Sequence, residues 1–562
     1  MRRLILALCL TSLPVAAIAQ ATAAKGTDTQ HSATPGTVAP AVPPAAAPLS
    51  AGAAAIKSHV MFLAADAMRG REAGSPEYDI AAEYVAAQFF AAGLKPGGDK
   101  GGYAQNVPLV SYKPDGQGTL AITGAAGQSA LTFGTDYIPS SNPRTAETSV
   151  SAPVVFVGYG IVAPQYGRDD YRGVDVKGKI VAFVSGSPSK MTGEERAWLG
   201  AATTKARFAA ERGAVGTIAL VTPRSDKQRP FARLVEANDH SRMTWANADG
   251  TGHVEEGGIP ALATLSLSGA QKLFAGARTS WAKIARAAEK ADATFTPEAL
   301  PVTVSATTKT KFEQVRSSNV VGVLPGSDPA LSREVVVLSA HLDHVGVSGK
   351  AEDKIHNGAL DNAIGIASLI EEAKRFQKEG PAKRTILFLA VTAEEKGLVG
   401  SDYFANHPTV PAESIIANVN LDMPILTYKF EDMVAFGGDR STLGPIIRGA
   451  VEGAGVALSP DPIPDEGIFV RSDHFRFVQK GVPSVFLWPG QKGPGKAAVE
   501  HFLSTNYHKP TDDLSQPIEW EEGVRFVDVN YRIARNIGDA ATRPVWNKGD
   551  YFGTLFKGPM AP

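Results

Sequence analysis

The sequence predicts a three-layer α/β domain with a mostly parallel central sheet, interrupted by a β-rich insertion. Three observations carry that reading. Within Glu334–Met423 lie three continuous apolar runs, Val335–Ala340, Thr385–Val391 and Ile415–Leu421, of the kind found in strands buried on both faces. From Pro301 onward, strand-like runs alternate with helical patterns over short links. From about Val150 the texture changes to short β runs. Each of the three apolar runs also ends in groups able to hold a metal: His341-Leu342-Asp343-His344, Glu394-Glu395 and Asp422. Open parallel sheets bind ligands beyond the carboxyl ends of their strands, where these groups would stand.

At 562 residues the chain is too long for one ordinary core, so two folded units plus tails are expected. With 44% apolar residues, 20% charged and a net charge of −1, nothing calls for nucleic acid or an anionic membrane as partner. Met1-Arg2-Arg3, the apolar run Leu4–Val15 and the small residues Ala17-Ile18-Ala19 read as a signal peptide over 1–19, cleaved after Ala19. A membrane anchor would need about 20 apolar residues. Export to the periplasm or the extracellular space follows. The sole cysteine, Cys9, lies inside this segment after Leu8, so it is not read as a lipoprotein attachment site. The mature chain then has neither a disulfide nor a thiol nucleophile.

Residues 20–50 are rich in Ala, Pro and Thr and read as a disordered tether. Residues 51–140 form the first part of the main domain, with order expected from near Ile56. Val60, Leu63, Ala64, Ala67 and Met68 recur at helical spacing, closed by Gly70-Arg71. Pro76 then opens a second helix that Gly93 ends. The insertion is placed at 141–300. Its strands are Pro153–Gly160, Val176–Val184, Ala214–Val221 and an edge strand Ile259–Leu265, with a helix over Lys205–Arg212. It holds no constellation of His, Asp and Glu suited to chemistry. Residues 301–545 carry the site. There Asn319–Leu324 heads a hairpin with Val335–Leu338 through Pro325-Gly326-Ser327-Asp328. Val482–Leu487 adds a strand, Val524–Ile537 a closing helix, and 546–562 a tail.

His341 at a strand end reads as a metal ligand. Two residues on, Asp343 would share its face, as a carboxylate that fixes the tautomer of the ring. His344 then points the other way. Asp361, in Gly358-Ala359-Leu360-Asp361-Asn362, either caps the following helix or bridges two cations. Glu394 and Glu395 follow a buried strand, and adjacent carboxylates in a loop point in different directions. One binds metal while the other serves as general base. Asp422 repeats the pattern, and His508 arrives in a late loop. The set of two His, two Asp and one Glu, without thiolate, suits zinc, with manganese or cobalt as substitutes.

The order His341-x-Asp343, Gly358-Ala359-x-Asp361-Asn362, Glu394-Glu395, Asp422 and His508 resembles the M28 family of co-catalytic zinc aminopeptidases. The insertion resembles a protease-associated (PA) domain, and Leu63–Leu94, with Gly70-Arg71-Glu72, is similar to the opening of that family. The resemblance implies a zinc-peptidase domain with two zinc ions per chain, acting on a peptide or protein substrate. One ion would be held by His341 and Asp422, the other by Glu395 and His508, with Asp361 shared. Glu394 would take the proton from the bridging water and pass it to the leaving amine. The Asp361-Asn362 peptide is expected cis. Arg471-Ser472-Asp473-His474-Phe475 resembles a pocket-lining segment in which Asp473 and His474 orient neighbours. The family more often has Ser where this chain has His344. Rival readings are a one-zinc glutaminyl cyclase, a carboxypeptidase with Arg471 as the cation for the substrate carboxylate, and a non-catalytic receptor that binds through its insertion.

Overall fold

A computed structural model describes residues 48–255, 258–349 and 352–562. The signal peptide and all but the last residues of the tether lie outside the described residues. The first helix, α1 (Ala51–Leu63), starts five residues ahead of the expected point, because the Ser50 hydroxyl accepts the Ala53 N–H and caps it. The second helix, α2 (Pro76–Ala91), has Pro76 in its first turn and the Ser75 hydroxyl as its cap.

The main strands of the central sheet are β1 (Ala104–Pro114), β2 (Glu298–Leu324), β3 (Val335–His341), β4 (Thr385–Val391), β5 (Ile415–Leu421), β6 (Asp432–Phe436) and β7 (Ser484–Pro489), with the short strands Lys95–Pro96, Arg242–Trp245 and Ala457–Ser459 added beside them. Their order is β1-β2-β4-β3-β5-β7-β6. The middle four, β4-β3-β5-β7, run parallel, and antiparallel strands flank them on both sides. Every residue of β3, β4 and β5 is buried, as the apolar runs require. Alternate residues serve opposite layers. Val336, Leu338 and Phe388 meet α3 (Ile364–Glu379) in a core that also takes in α1 and α5 (Trp520–Asp539), whereas Val335, Val337 and Leu387 pack with Phe404 of α4 (Val399–Asn406) and Phe477. Fully burying such a side chain contributes about 1.5–3 kcal/mol, so these layers hold the strand ends in fixed register.

Two expectations about neighbours fail. The hairpin of Asn319–Leu324 with Val335–Leu338 does not form; β2 pairs antiparallel with β4, which lies between it and β3. The Pro325–Asp328 turn instead wraps the start of β4, where Gly326 N–H donates to Thr385 Oγ1 and Ser327 N–H to Ala382 O. The strand near Pro260 is not at an edge either. Ala261–Leu265 lies between Gly216–Leu220 and Tyr137–Pro139, and Pro260 stands just ahead of it, where no ladder N–H is needed.

The long strand β2 is shared. Its second half pairs with β1, and its first half pairs with Thr119–Gly124 and Glu147–Phe156 in another sheet, continued by Ile180–Val184, Gly216–Leu220 and Ala261–Leu265. That sheet thus takes in strands ahead of residue 141. The expected tail at 546–562 is packed in place. Trp546 is fully buried and its indole N–H donates to Gly481 O at 2.8 Å. No helix among the described residues is long and apolar enough to cross a membrane.

Candidate metal centre

The carboxyl ends of β3, β4 and β5 deliver His341, Glu394-Glu395 and Asp422 to one cavity, and the loops around Asp361 and His508 close it. His341 Nε2 lies 3.1 Å from Asp422 Oδ1 and 3.2 Å from Asp361 Oδ1. His508 Nε2 lies 3.0 Å from Glu395 Oε2 and 3.3 Å from Asp361 Oδ2. Asp361 therefore presents one oxygen to each group. All five expected ligands converge, four of them buried and His508 with 37% of its side chain exposed.

Local sequence explains the convergence. Asp361 does not cap α3, whose start carries no side-chain cap. Its backbone is held instead by Asp512, whose carboxylate accepts the N–H of Leu360 and of Asp361, each at 3.0 Å. Asn362, across a cis peptide as expected, donates to Leu421 O and accepts from Met423 N–H, which ties this turn to the end of β5. Ala393, Met423 and His508 all have positive φ, although none is glycine. Each adjoins or is a site residue, and backbone strain of that kind gathers where function over-determines the fold.

Three side chains stand differently from the sequence reading. The Asp343 carboxylate does not reach His341, whose Nδ1 faces the Asp343 backbone oxygen at 3.0 Å. It accepts the N–H groups of Glu394 at 3.0 Å and Glu395 at 3.3 Å, and so orients the acidic loop. His344 does not point away: its Nδ1 is 2.7 Å from Glu395 Oε1. The strand ends at His341, so period-two alternation has no hold on the residues after it. Ser472, given no role in the sequence reading, meets the cluster with its hydroxyl donating to Asp422 Oδ2 at 2.6 Å. Asp473 and His474 are fully buried beside it.

The electrostatics of the cavity call for added positive charge. Asp343, Asp361, Glu394, Glu395, Asp422 and Asp473 crowd together, and burial pushes Glu394 well above the usual carboxylate range, with Asp422, Glu395 and Asp473 adding to it. Burial likewise lifts Asp343 to about 6 and Asp473 to about 7. Burial also disfavours charge on Glu395, yet His344 and His508 hold it at about 2. Against its own burial, His508 is raised to about 10 by Asp361 and Glu395. The fixed counter-charge is Arg71, fully buried, which donates to the backbone oxygens of Leu342, Asn357, Gly358 and Leu63. Among the buried polar atoms without a hydrogen-bond partner are Asp361 Oδ2 and Glu395 Oε1. Orphaned carboxylate oxygens facing imidazoles, with no thiolate nearby, fit divalent cations.

A small cleft of about 40 Å³ is lined by Asp361, Glu394, Asp422 and His508 between apolar walls of Met423, Ile468, Phe486 and Trp488. Arg471, paired with Glu466 at 3.2 Å, also lines it. The loop bearing the two glutamates is closely backed by Gly400, where an added Cβ would lie 2.2 Å from Thr392 O and 2.6 Å from Asn319 Oδ1. Gly400→Ala is therefore expected to lower stability by about 1–3 kcal/mol and reduce turnover, as the loop must shift. Thermal melting and steady-state rates check this; wild-type values in both would refute the close contact.

Residues 319–534 match peptidase family M28. Over 309 residues the chain is 28% identical to a probable leucine aminopeptidase 2 of Aspergillus oryzae, covering 51% of this chain and 54% of that protein. It is 30% identical over 224 residues to aminopeptidase YwaD of Bacillus subtilis, covering 39% and 44% respectively. The chain thus spans about half the length of the curated relatives it matches. Among solved structures, an aminopeptidase from Aneurinibacillus sp. strain AM-1 aligns over 87% of this chain and 95% of its own, at 19% identity and a TM-score of 0.48.

Proposed function

We propose that this chain, whose residues 319–534 match peptidase family M28, is an exported two-zinc aminopeptidase removing N-terminal residues from peptides. The observation that supports this best is the sharing of Asp361, whose two oxygens face His341 with Asp422 on one side and Glu395 with His508 on the other. Two divalent cations, when bound, supply an acidified water and a polarised substrate carbonyl. The remaining work falls to the protein. Glu394, unshared by either ligand set and lining the cleft, accepts the proton of the attacking water and returns it to the leaving amine. Asp343 holds the Glu394 and Glu395 backbones so that the two carboxylates keep separate tasks. Met423, Ile468, Phe486 and Trp488 offer an apolar wall to the substrate's first side chain. The body built on Glu147–Phe156 and its neighbours is assigned as a PA-like insertion that gates long substrates.

The test is a panel of amino-terminal chromogenic amides, assayed with zinc, after chelation and after zinc return. Activity should vanish on chelation and recover with two zinc ions per chain. A single zinc ion would favour the cyclase chemistry instead, and chelator-resistant hydrolysis would sink the metallopeptidase reading. One observation favours a second reading. Arg471 lines the cleft and could receive a free carboxylate, as a carboxypeptidase requires. N-acetylated peptides with free carboxyl ends, cleaved faster than the amides, would decide for it.

A further inference from the structure

We propose that His344 is a further ligand of the cation held by Asp361, Glu395 and His508, so that this position takes four protein groups while the His341 position takes three. The inference rests on the two-cation reading and extends it. His344 is fully buried, with Nδ1 at 2.7 Å from Glu395 Oε1 and 3.9 Å from Asp361 Oδ2. None of these three atoms has a hydrogen-bond partner, although all three are buried and face one another. A proton shared between His344 and Glu395 would leave Asp361 Oδ2 facing only His508 Nε2, at 3.3 Å, which lies nearer Glu395 Oε2 at 3.0 Å; one cation among them serves all of these atoms. The ring is packed where it stands. Gly358 has no side chain, and a Cβ there would lie 2.6 Å from the His344 Cγ, while the His344 N–H donates to Arg71 O at 3.3 Å. The His508 ring completes the set, its centroid 5.8 Å from that of His344.

Two imidazoles and two carboxylates make a closed four-coordinate set, the arrangement of cations that bind tightly and do little chemistry. The three-ligand position, His341 with Asp361 and Asp422, keeps an open coordination place. The two positions are therefore unequal. The His344 position should fill first and empty last, and the other should exchange with solvent and face the substrate.

The experiment uses the full mature chain, stripped of metal and titrated with zinc against a competing chelator. Wild type should show two classes of site. In His344→Ala the tighter class should weaken by more than about 100-fold, beyond the loss typical of disturbing a group that only supports a ligand. Two variants separate ligation from hydrogen bonding. His344→Gln can donate to Glu395 but supplies no comparable ligand, and should stay weak. His344→Cys supplies a thiolate, the only thiol in residues 20–562. It should regain tight binding and, with cobalt, show a thiolate-to-cobalt charge-transfer band. Tight binding in His344→Gln, an unchanged isotherm in His344→Ala, or no such band in a folded His344→Cys would overturn the proposal. If wild type itself takes up fewer than two ions, the two-zinc reading falls first.

Discussion

Replacing Glu394 by glutamine is expected to lower kcat by about 10²–10⁴-fold, the range that a positioned general base supplies. Zinc content should stay at the wild-type level. The two expectations separate because Glu394 belongs to neither set of facing ligands, whereas its neighbour Glu395 lies 3.0 Å from His508. Glutamine matches glutamate in shape, and the Glu394 N–H bond to Asp343 is a backbone contact that the substitution leaves alone. Only the ability to take a proton disappears. Burial, reinforced by Asp422, Glu395 and Asp473, raises the proton affinity of this carboxyl, as suits a base. A variant that hydrolyses amides within a few-fold of wild type, with zinc bound, would remove Glu394 from the mechanism. Loss of zinc together with activity would instead make Glu394 a ligand.

Three of the five converging residues were legible because each follows a recognisable local element, whereas Asp361 and His508 stand in loops and took their roles from the family resemblance. His341, Glu394-Glu395 and Asp422 come at the ends of apolar runs, and strands buried on both faces must end at one edge of a parallel sheet. What local pattern could not supply is orientation past the last strand residue. His341 is the final residue of β3, so Asp343 and His344 obey the loop instead of the pleat, and both turned out to serve Glu395 in different ways. Strand order failed for a related reason. The link 325–334 is long enough to pass over β4, and only contacts distant in sequence, such as Gly326 with Thr385, fix where it goes. Asp512 and Ser472 act through hydrogen bonds to Asp361 and Asp422, from more than a hundred and from 50 residues away respectively, and a short polar side chain in a loop carries no mark of such a partner.

Arg71 is the clearest case of a residue whose weight lies outside its neighbourhood in sequence, where it reads as the close of a helical run. Its guanidinium sits with no exposure between three segments. Nε donates to Leu342 O at 3.0 Å, Nη1 to Asn357 O at 2.6 Å and also to Leu63 O, and Nη2 to Gly358 O at 3.1 Å. The end of α1, the loop after β3 and the loop before Asp361 are thus tied to one cation. Burial lowers its pKa to about 10, while Asp343, Asp512, Asp361 and Glu395 oppose that fall, so it stays charged at neutral pH. Arg71→Met would leave buried carbonyls without donors and the carboxylates without their fixed counter-charge. Removing one member of a buried charged arrangement costs about 3–5 kcal/mol. Arg71→Lys should recover only part of this, because an ammonium cannot span the same fork of acceptors. The loss should be largest in metal-free protein, since cations bound at Asp361 and Glu395 screen the same carboxylates. Melting curves of both variants, with and without zinc, check the argument. For a folded chain of this length each degree of melting temperature corresponds to about 1 kcal/mol, so a metal-free Arg71→Met that melts within about 1 °C of wild type has lost no more than about 1 kcal/mol, and the guanidinium would then be a passenger in the fold.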